Sequence, residues 1–265
     1  MNHPAAPELV SAPDQATLND AKAAAAEAWK AVGVARPHES AELHVLGQAT
    51  YTDDIPELQG TLHAALGLSS KAHARITAID LAPVRASAGV VSVYTAQDIV
   101  GTNDCGPIIH DDPIFCVGEV MYVGQPLFIV VADTHDNARR AARRAVVDYD
   151  ELPAIFTPQE AKEAQSYVLP PMQLKRGEFQ SAFDKAPRVV EGQLFVGGQE
   201  QFYLEGQIAY AIPKEDNGML VQCSTQHPSE MQHVVAHALG VHSHKVQVEC
   251  RRLGGGFGGK ESQSA

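Results

Sequence analysis

A glycine-rich segment, residues 253–261 (LGGGFGGKE), has the composition of a ligand-binding loop. Five of the six residues between its leucine and its lysine are glycine, so backbone amides there can approach a ligand closely and adopt positive φ angles. Gly254, Gly259 and Lys260 fit the phosphate-binding pattern GxxxxGK. The next residue, Glu261, stands where that pattern has the serine or threonine that holds magnesium, so nucleotide hydrolysis is disfavoured.

Two other interpretations of the same segment remain open. Gly254, Gly256 and Gly259 satisfy the dinucleotide pattern GxGxxG, which needs a following helix and an acidic residue about twenty positions further on. The sequence ends before it could supply either. Alternatively, the segment is a loop that passes its backbone close to a bulky cofactor, with Phe257 against the cofactor and Glu261 facing a substrate.

Polar residues at the ends of predicted strands supply further candidates, because ligands collect at strand ends in α/β sheets. They lie in the segments 197–205 (GGQEQFYLE) and 224–228 (STQHP). Gln226 falls between a predicted strand and a predicted helix, so its side-chain amide can donate to an oxo or carbonyl oxygen. A lone glutamine is more often a surface residue, and only its combination with the glycine segment favours a role in a site.

Two histidines on a predicted helix form a possible metal pair. His233 and His237 stand four residues apart, a spacing that allows both to bind zinc. The sequence between them lacks the glutamate of hydrolytic HExxH sites, and no pattern places a third ligand. Histidines on a polar or partly buried helix face are therefore the favoured interpretation.

Hydrophobic periodicity predicts the strands and helices that must position these residues. Strands are predicted at residues 62–68, 90–94, 126–132, 146–149, 189–196, 207–212, 219–224 and 245–250. Asp133 and Thr134 can cap a helix after the third of these strands. Pro228 opens another helix, whose apolar residues recur at i, i+3, i+4 and i+7 until Gly240 ends it. This mixture of elements predicts an α+β fold.

Composition limits the classes of function. Of the 265 residues, 45% are hydrophobic and 20% charged, as in ordinary globular proteins. A net charge of −12 argues against nucleic acid as a partner, and no apolar run approaches the roughly 20 residues that span a bilayer. The start lacks the features of a secretory signal, which predicts a cytoplasmic protein. The four cysteines include no CxxC pair, which disfavours a disulfide framework or a cysteine-held iron–sulfur cluster.

Five motifs together carry a family resemblance. The segments 47–56 (GQATYTDDIP) and 118–126 (GEVMYVGQP) resemble the small α/β hammerhead domain of molybdenum hydroxylases. The segments 198–205 (GQEQFYLE), 224–226 (STQ) and 254–261 (GGGFGGKE) look like the start of the molybdopterin-binding domain of that family. The motifs occur in the family's order, and within the family they are most similar to the molybdenum-binding large subunit of bacterial xanthine dehydrogenases.

The resemblance implies an α/β hammerhead-like domain followed by the beginning of a molybdopterin-binding domain. We expect an alanine-rich tail or frayed helix at residues 1–36, the hammerhead domain at 37–157, a linker at 158–180 and a truncated molybdopterin-binding domain at 181–265. We also expect the chain to be the front portion of a longer protein, since a glycine-rich loop normally needs an element on its far side to hold it.

The resemblance also implies an activity, the hydroxylation of hypoxanthine and xanthine to urate at a molybdenum–molybdopterin cofactor. Gln226 would donate a hydrogen bond to a molybdenum oxygen. The backbone of Gly256, Phe257 and Gly258 would lie beside the cofactor, with Phe257 in the molybdenum environment. Glu261 would hydrogen-bond the purine, since a carboxyl group can recognise ring N–H and carbonyl edges.

The same interpretation places several parts of such an enzyme outside this chain. The family's catalytic base and its substrate-clamping residues belong to later sequence, so we assign no catalytic residue here. We expect the isolated chain neither to turn over xanthine nor to hold the cofactor tightly. [2Fe–2S] clusters and FAD are expected on a small partner subunit of a hetero-oligomer, with NAD as electron acceptor. The alternatives are an aldehyde oxidase-like hydroxylase, a non-catalytic docking module derived from the same family and, less favoured, a nucleotide-binding domain.

Overall fold

The structure is a computed structural model that describes residues 14–17, 19–20 and 35–261. Of the alanine-rich tail or frayed helix predicted at residues 1–36, only residues 14–17, 19–20, 35 and 36 are described, and the rest lies outside the described residues. None of the described helices combines the length and the apolar character needed to cross a membrane.

The chain divides into two compact units, Met1–Ala49 and Thr50–Ala265. In the first unit, helix α1 (Ala41–Val45) follows Ser40, whose backbone N–H donates to Nδ1 of His38 at 3.1 Å. Local bonds of this kind matter for a helix of five residues, because so short a helix is unstable by itself.

The second unit contains three β-sheets, each of three strands within the described residues. The strands are β1 (His63–Leu68), β2 (Ala74–Asp80), β3 (Val90–Thr95), β4 (Glu119–Val120), β5 (Pro126–Ala132), β6 (Val146–Glu151), β7 (Ala209–Pro213), β8 (Met219–Cys223) and β9 (Val246–Glu249). The strand orders are β1-β5-β3, β4-β2-β6 and β7-β8-β9. Neighbouring strands are antiparallel except β8 and β9, which are parallel.

The helices of the second unit are α2 (Ala82–Arg85), α3 (His135–Ala142), α4 (Pro158–Glu163), α5 (Phe179–Asp184) and α6 (Pro228–Leu239). The sequence signals two of them, α3 and α6. The Oγ1 of Thr134 caps α3 by accepting the N–H of Asn137 at 3.2 Å. Helix α6 starts at Pro228, and Gly240 ends it with a left-handed φ of 65°. The helix signals and the α+β class predicted from the sequence are confirmed.

The first sheet holds the main hydrophobic core. Its central strand β5 is covered on both faces, so Leu127 and Phe128 are buried although they point to opposite sides. Helix α3 packs against this sheet through Ala138 and Ala141, both fully buried. Burial on both faces explains why β5 is a continuous apolar run without polar alternation.

The third sheet positions the candidate site. Strands β8 and β9 are joined through α6, and their register pairs Met219 with Val246 and Gln222 with Glu249. Since the two strands are parallel neighbours, their carboxyl ends lie side by side at one edge of the sheet. The segment 224–226 leaves β8 at that edge, and the glycine loop 253–261 follows β9. Parallel strand ends are the usual location of ligand sites.

Two residues from far upstream in the sequence donate hydrogen bonds to the last turn of α6. The backbone N–H of Gly101 donates to the carbonyl of Ala238 at 3.0 Å, and that of Thr102 donates to the carbonyl of His237 at 2.9 Å. A Cβ at Gly101 would lie 1.8 Å from the His237 oxygen, so only glycine permits this approach. The carbonyl of Ala238 gains a donor that the end of the helix does not supply, and the carbonyl of His237, which also accepts the N–H of Gly240 at 3.2 Å, gains a second one.

Within the described part of the chain, the structure differs from the sequence predictions in one strand that is absent, two strands that were not predicted and a linker that contains helices. The predicted strand at 189–196 is wrong, because that segment is exposed and has no strand beside it among the described residues to pair its backbone. The sequence did not indicate β2 or the two-residue β4, which is too short to show a period. The predicted linker 158–180 contains α4 and the start of α5. The boundaries of the tail, hammerhead domain, linker and molybdopterin-binding domain, predicted at residues 1–36, 37–157, 158–180 and 181–265, stay predictions.

Candidate functional site

Two loops at the edge of the third sheet are joined by reciprocal hydrogen bonds between Gln226 and Lys260. The backbone N–H of Gln226 donates to the carbonyl of Lys260 at 2.7 Å, and the Oγ1 of Thr225 donates to the same carbonyl at 3.2 Å. In the opposite direction, the backbone N–H of Lys260 donates to Oε1 of Gln226 at 3.3 Å. The segment 224–226 after β8 and the glycine loop after β9 are therefore held together by hydrogen bonds.

The side-chain amide of Gln226 has a fixed orientation. Its Oε1 accepts the backbone N–H groups of Gly258, at 2.9 Å, and Lys260. Since both partners are donors, the acceptor must face the loop and the Nε2 group must face away. Nε2 donates to none of the described residues, so it remains a hydrogen-bond donor on the exposed side of Gln226.

Glycine is required in the loop for two different reasons. Gly255 and Gly258 have φ angles of 102° and 91°, which side chains rarely allow. Gly256 has no such φ, but a Cβ there would lie 2.5 Å from Oε1 of Gln226. The N–H of Gly259 closes a turn by donating to the carbonyl of Gly256 at 2.7 Å. The glycines thus permit the turn and leave room for the Gln226 side chain.

The loop also contains three consecutive backbone N–H groups without a partner among the described residues, and an exposed ring. The backbone N–H groups of Gly255, Gly256 and Phe257 are hydrogen-bonded to none of the described residues. Phe257, with a φ of 51°, is 78% exposed. Consecutive amides in such a turn, together with Nε2 of Gln226, form a set of donors suited to oxygen, sulfur or phosphate acceptors.

A buried ionic cluster lies beneath the loop. The ammonium of Lys260 is fully buried and lies 3.0 Å from Oε2 of Glu205, whose side chain is 10% exposed. Lys260 also donates to Oγ of Ser224 at 2.7 Å, and Ser224 donates to Oε2 of Glu205. The backbone N–H of Gly254 donates to the same carboxylate oxygen at 2.7 Å. A buried charge pair needs such additional hydrogen bonds, because desolvation otherwise exceeds the attraction.

Two opposing effects determine the pKa of the Glu205 carboxyl. Burial acts to raise the pKa, because it disfavours the charged form. The hydrogen bonds from Ser224 and Gly254, with the hydrogen bond and charge of Lys260, outweigh burial, so the net pKa lies below its usual value. Glu205 therefore remains a carboxylate at neutral pH.

The lowered pKa of Glu205 predicts a pH-dependent stability. A carboxyl group whose pKa is lower in the folded chain stabilises it fully above the unfolded-state pKa, about 4.3 for glutamate, and loses that contribution as the pH falls through the folded pKa. We expect Glu205→Gln to be less stable than wild type at neutral pH, with the difference shrinking as the solution is acidified. Urea unfolding at a series of pH values measures it. The control is Glu178→Gln, because Glu178 is exposed and paired with Lys175, and it should change stability little at any pH. A stability difference for Glu205→Gln that does not change with pH would contradict the lowered pKa of Glu205.

The structure brings together four of the five predicted site residues, Gln226, Gly256, Phe257 and Gly258. Glu261, the last residue of the loop, is exposed and forms no hydrogen bond to a described residue. His233 and His237 have ring centroids 6.3 Å apart and belong to no group of three metal-binding side chains among the described residues.

Sequence reasoning missed the ionic cluster of Glu205, Ser224 and Lys260. All three residues fall in segments that the motifs singled out, so their positions were indicated but their mutual contact was not. Glu205 and Lys260 are 55 residues apart in sequence, and no local pattern links them.

Comparisons with known proteins place these elements in a family. Residues 46–153 match the family model of the aldehyde oxidase and xanthine dehydrogenase a/b hammerhead domain. Residues 159–265 match the model of the molybdopterin cofactor-binding domain. The chain belongs to the molybdenum hydroxylase family. The predicted resemblance is confirmed, and the fold is a hammerhead domain followed by residues of a molybdopterin-binding domain.

Curated relatives and solved structures agree with this assignment. The chain is 44% identical over 239 residues to xanthine dehydrogenase from Oryza sativa and 40% identical over 234 residues to xanthine dehydrogenase/oxidase from Mus musculus. The two matches cover 89% and 88% of this chain, respectively. The chain spans only 18% of the length of each relative.

The fold is also that of solved molybdenum hydroxylases. The aldehyde oxidoreductase of Desulfovibrio gigas matches with a TM-score of 0.73 and 27% identity over 83% of this chain and 26% of its own. Quinoline 2-oxidoreductase from Pseudomonas putida 86 matches with a TM-score of 0.73 and 28% identity over 86% of this chain and 31% of its own.

The residues of the candidate site fit a molybdopterin cofactor. Molybdenum–molybdopterin presents oxygen, sulfur and phosphate acceptors, and the site offers donors: Nε2 of Gln226 and the amides of Gly255, Gly256 and Phe257. Lys260, the charged residue that could have bound phosphate directly, is directed into the protein. The donor set thus consists of neutral amides.

Proposed function

We propose that this chain forms part of the molybdenum-binding subunit of a purine hydroxylase that converts hypoxanthine and xanthine to urate. The observation that carries the proposal is the fastening of Gln226 to the glycine loop, which leaves its Nε2 donor facing outward. The similarity to xanthine dehydrogenases over most of this chain supports a purine substrate. An aldehyde substrate is the alternative, favoured by the structural likeness to an aldehyde oxidoreductase.

In this proposal each site residue has a separate task. Gln226 donates from Nε2 to an oxygen of the cofactor, and the backbone of Gly256, Phe257 and Gly258 lies against it. Glu261 is exposed at the end of the loop and hydrogen-bonds the purine. When bound, molybdenum–molybdopterin supplies the two-electron oxidation of the substrate carbon and the activation of the oxygen transferred to it.

The complete enzyme requires more than this chain. We propose that a partner subunit with [2Fe–2S] clusters and FAD accepts the electrons, within a cytoplasmic hetero-oligomer. No residue of this chain is assigned as the catalytic base, so we propose that the chain alone does not form urate. The alternative is a non-catalytic docking module derived from the same family. It differs from the proposed enzyme in one respect, because a docking module would hold no molybdenum.

Molybdenum content tests the proposal. We expect the complete subunit, of which we propose this chain is a part, to retain molybdenum together with a pterin that fluoresces after oxidation when it is produced in cells that synthesise the cofactor. Gln226→Ala removes both the outward donor and the acceptor that holds the loop, and we expect about 10- to 100-fold weaker retention. Inductively coupled plasma mass spectrometry and pterin fluorescence measure the two components.

The matched control is Gln247→Ala, because Gln247 is exposed on β9 and, among the described residues, its side chain hydrogen-bonds to Glu249 alone. It should leave molybdenum retention unchanged. A wild-type complete subunit free of molybdenum and pterin under these conditions, or equal retention by its Gln226 and Gln247 variants, would contradict the proposed cofactor site.

A further inference from the structure

Lys260 is fully buried although its neighbour Glu261 is exposed, and the proposed function gives it no task. Its ammonium contacts Ser224 and Glu205, and it lies 4.6 Å from the centre of the Tyr203 ring, within cation–π range. In a phosphate-binding loop the corresponding lysine reaches the ligand. Here the ammonium is directed inward, so it acts on groups of the protein.

One carboxylate oxygen fastens both ends of the glycine loop. Oε2 of Glu205 accepts the backbone N–H of Gly254 at 2.7 Å, at the start of the loop, and the ammonium of Lys260 at 3.0 Å, at its end. The backbone N–H of Glu205 also donates to the carbonyl of Gly254 at 3.3 Å. The separation of the two loop ends is therefore set by Glu205 as long as its charge is balanced.

The backbone of Lys260 carries this constraint to Gln226. Its N–H donates to Oε1 of Gln226, and its carbonyl accepts the backbone N–H of the same residue. The side chain of Lys260 thus lies in the ionic cluster, while its main chain holds both the backbone and the amide of Gln226. A shift of Lys260 must move the acceptor that orients Nε2.

We propose that Lys260 is a positioning residue of the cofactor site: its buried ammonium holds the loop in the form that orients the Gln226 amide toward the cofactor. The link to the cofactor rests on the proposed function, whereas the effect on the loop does not. The neutral variant Lys260→Met keeps the length of the side chain but leaves the Glu205 carboxylate buried without its counter-charge.

Amide hydrogen exchange of the cofactor-free chain tests the proposal directly. The N–H of Gly258, held by Oε1 of Gln226, should exchange about 10- to 100-fold faster in Lys260→Met than in wild type, because that bond opens when the loop shifts. The N–H of Val130, inside β5, serves as the reference for global unfolding, and the acceleration at Gly258 should exceed any acceleration at Val130 that follows from lower global stability. Lys260→Arg, which retains the charge, should lie between wild type and Lys260→Met.

The matched control is Lys175→Met, since Lys175 forms an exposed pair with Glu178 and should leave both rates unchanged. If Lys260→Met does not fold, Ser224→Ala removes two hydrogen bonds of the cluster, keeps the ion pair and should show a smaller acceleration at Gly258. An unchanged rate at Gly258 in a folded variant overturns the proposal.

The same substitutions in the complete subunit, with molybdenum retention as the measurement, separate the two proposals. Faster exchange at Gly258 with reduced molybdenum supports both. Faster exchange with wild-type molybdenum content overturns the link between Lys260 and the cofactor. If wild type itself retains no molybdenum, the proposed function fails, and the exchange rates alone decide whether Lys260 positions the loop.

Discussion

Gly256→Ala is expected to weaken molybdenum retention as strongly as loss of the Gln226 side chain, by about 10- to 100-fold. The added Cβ would lie 2.5 Å from Oε1 and 2.7 Å from Cδ of Gln226, so the two groups cannot both keep their places. Gln226 has the more flexible end and should swing away. Its amide then no longer accepts from Gly258 and Lys260, and its Nε2 leaves the site.

A double-mutant cycle distinguishes this local effect from general damage. Because both single changes remove the same interaction, Gly256→Ala combined with Gln226→Ala should be no worse than either alone. Molybdenum content of the four complete subunits, each checked by circular dichroism, provides the measurement. Gly192→Ala is the control, since a Cβ at Gly192 meets nothing within 4 Å. Additive losses in the cycle would show that Gly256 does not act through Gln226.

Phe128→Ala is expected to destabilise the second unit by about 3–5 kcal/mol. Phe128 is 1% exposed at the centre of β5, and its ring lies directly over Gly67 of β1. A Cβ at Gly67 would lie 2.0 Å from the ring, so the glycine provides the space that the ring fills. Removal of the ring leaves a cavity that the flanking strands cannot close without breaking their register.

Urea denaturation followed by circular dichroism gives the difference in free energy of unfolding. Phe156→Ala serves as the control, because Phe156 is 78% exposed, and it should change stability by less than about 0.5 kcal/mol. Equal effects of the two substitutions would mean that β5 is not the centre of the core.

Strands with a strong local signal were predictable from the sequence, and those defined by their partners were not. β5 has the predicted bounds, because a strand buried on both faces must be apolar at every position. β8 and β9 fall within their predicted ranges. The segment 189–196 shows the limit: it has the residue types of a strand, but pairing needs a neighbour that no described residue supplies.

Within the candidate site, too, some residues could be predicted from the sequence and others could not. Gln226 and the glycines were identifiable because their residue types restrict what they can do: glycine permits positive φ, and an amide both donates and accepts. The burial of Lys260 could not be predicted, since a lysine in a glycine loop favours an outward, phosphate-binding role. Its inward direction depends on Glu205, a partner brought near only by the tertiary fold.

The cap on the last turn of α6 has a consequence for experiments that dissect the chain. Gly101 and Thr102 belong to the hammerhead-matching residues, whereas α6 connects the two strands that bear the site. A piece excised to begin after residue 153 would remove the Gly101 donor from the Ala238 carbonyl and one of the two donors from the His237 carbonyl, and would fray the last turn of α6. The half that carries Gln226 and the glycine loop is therefore best studied with its upstream half attached.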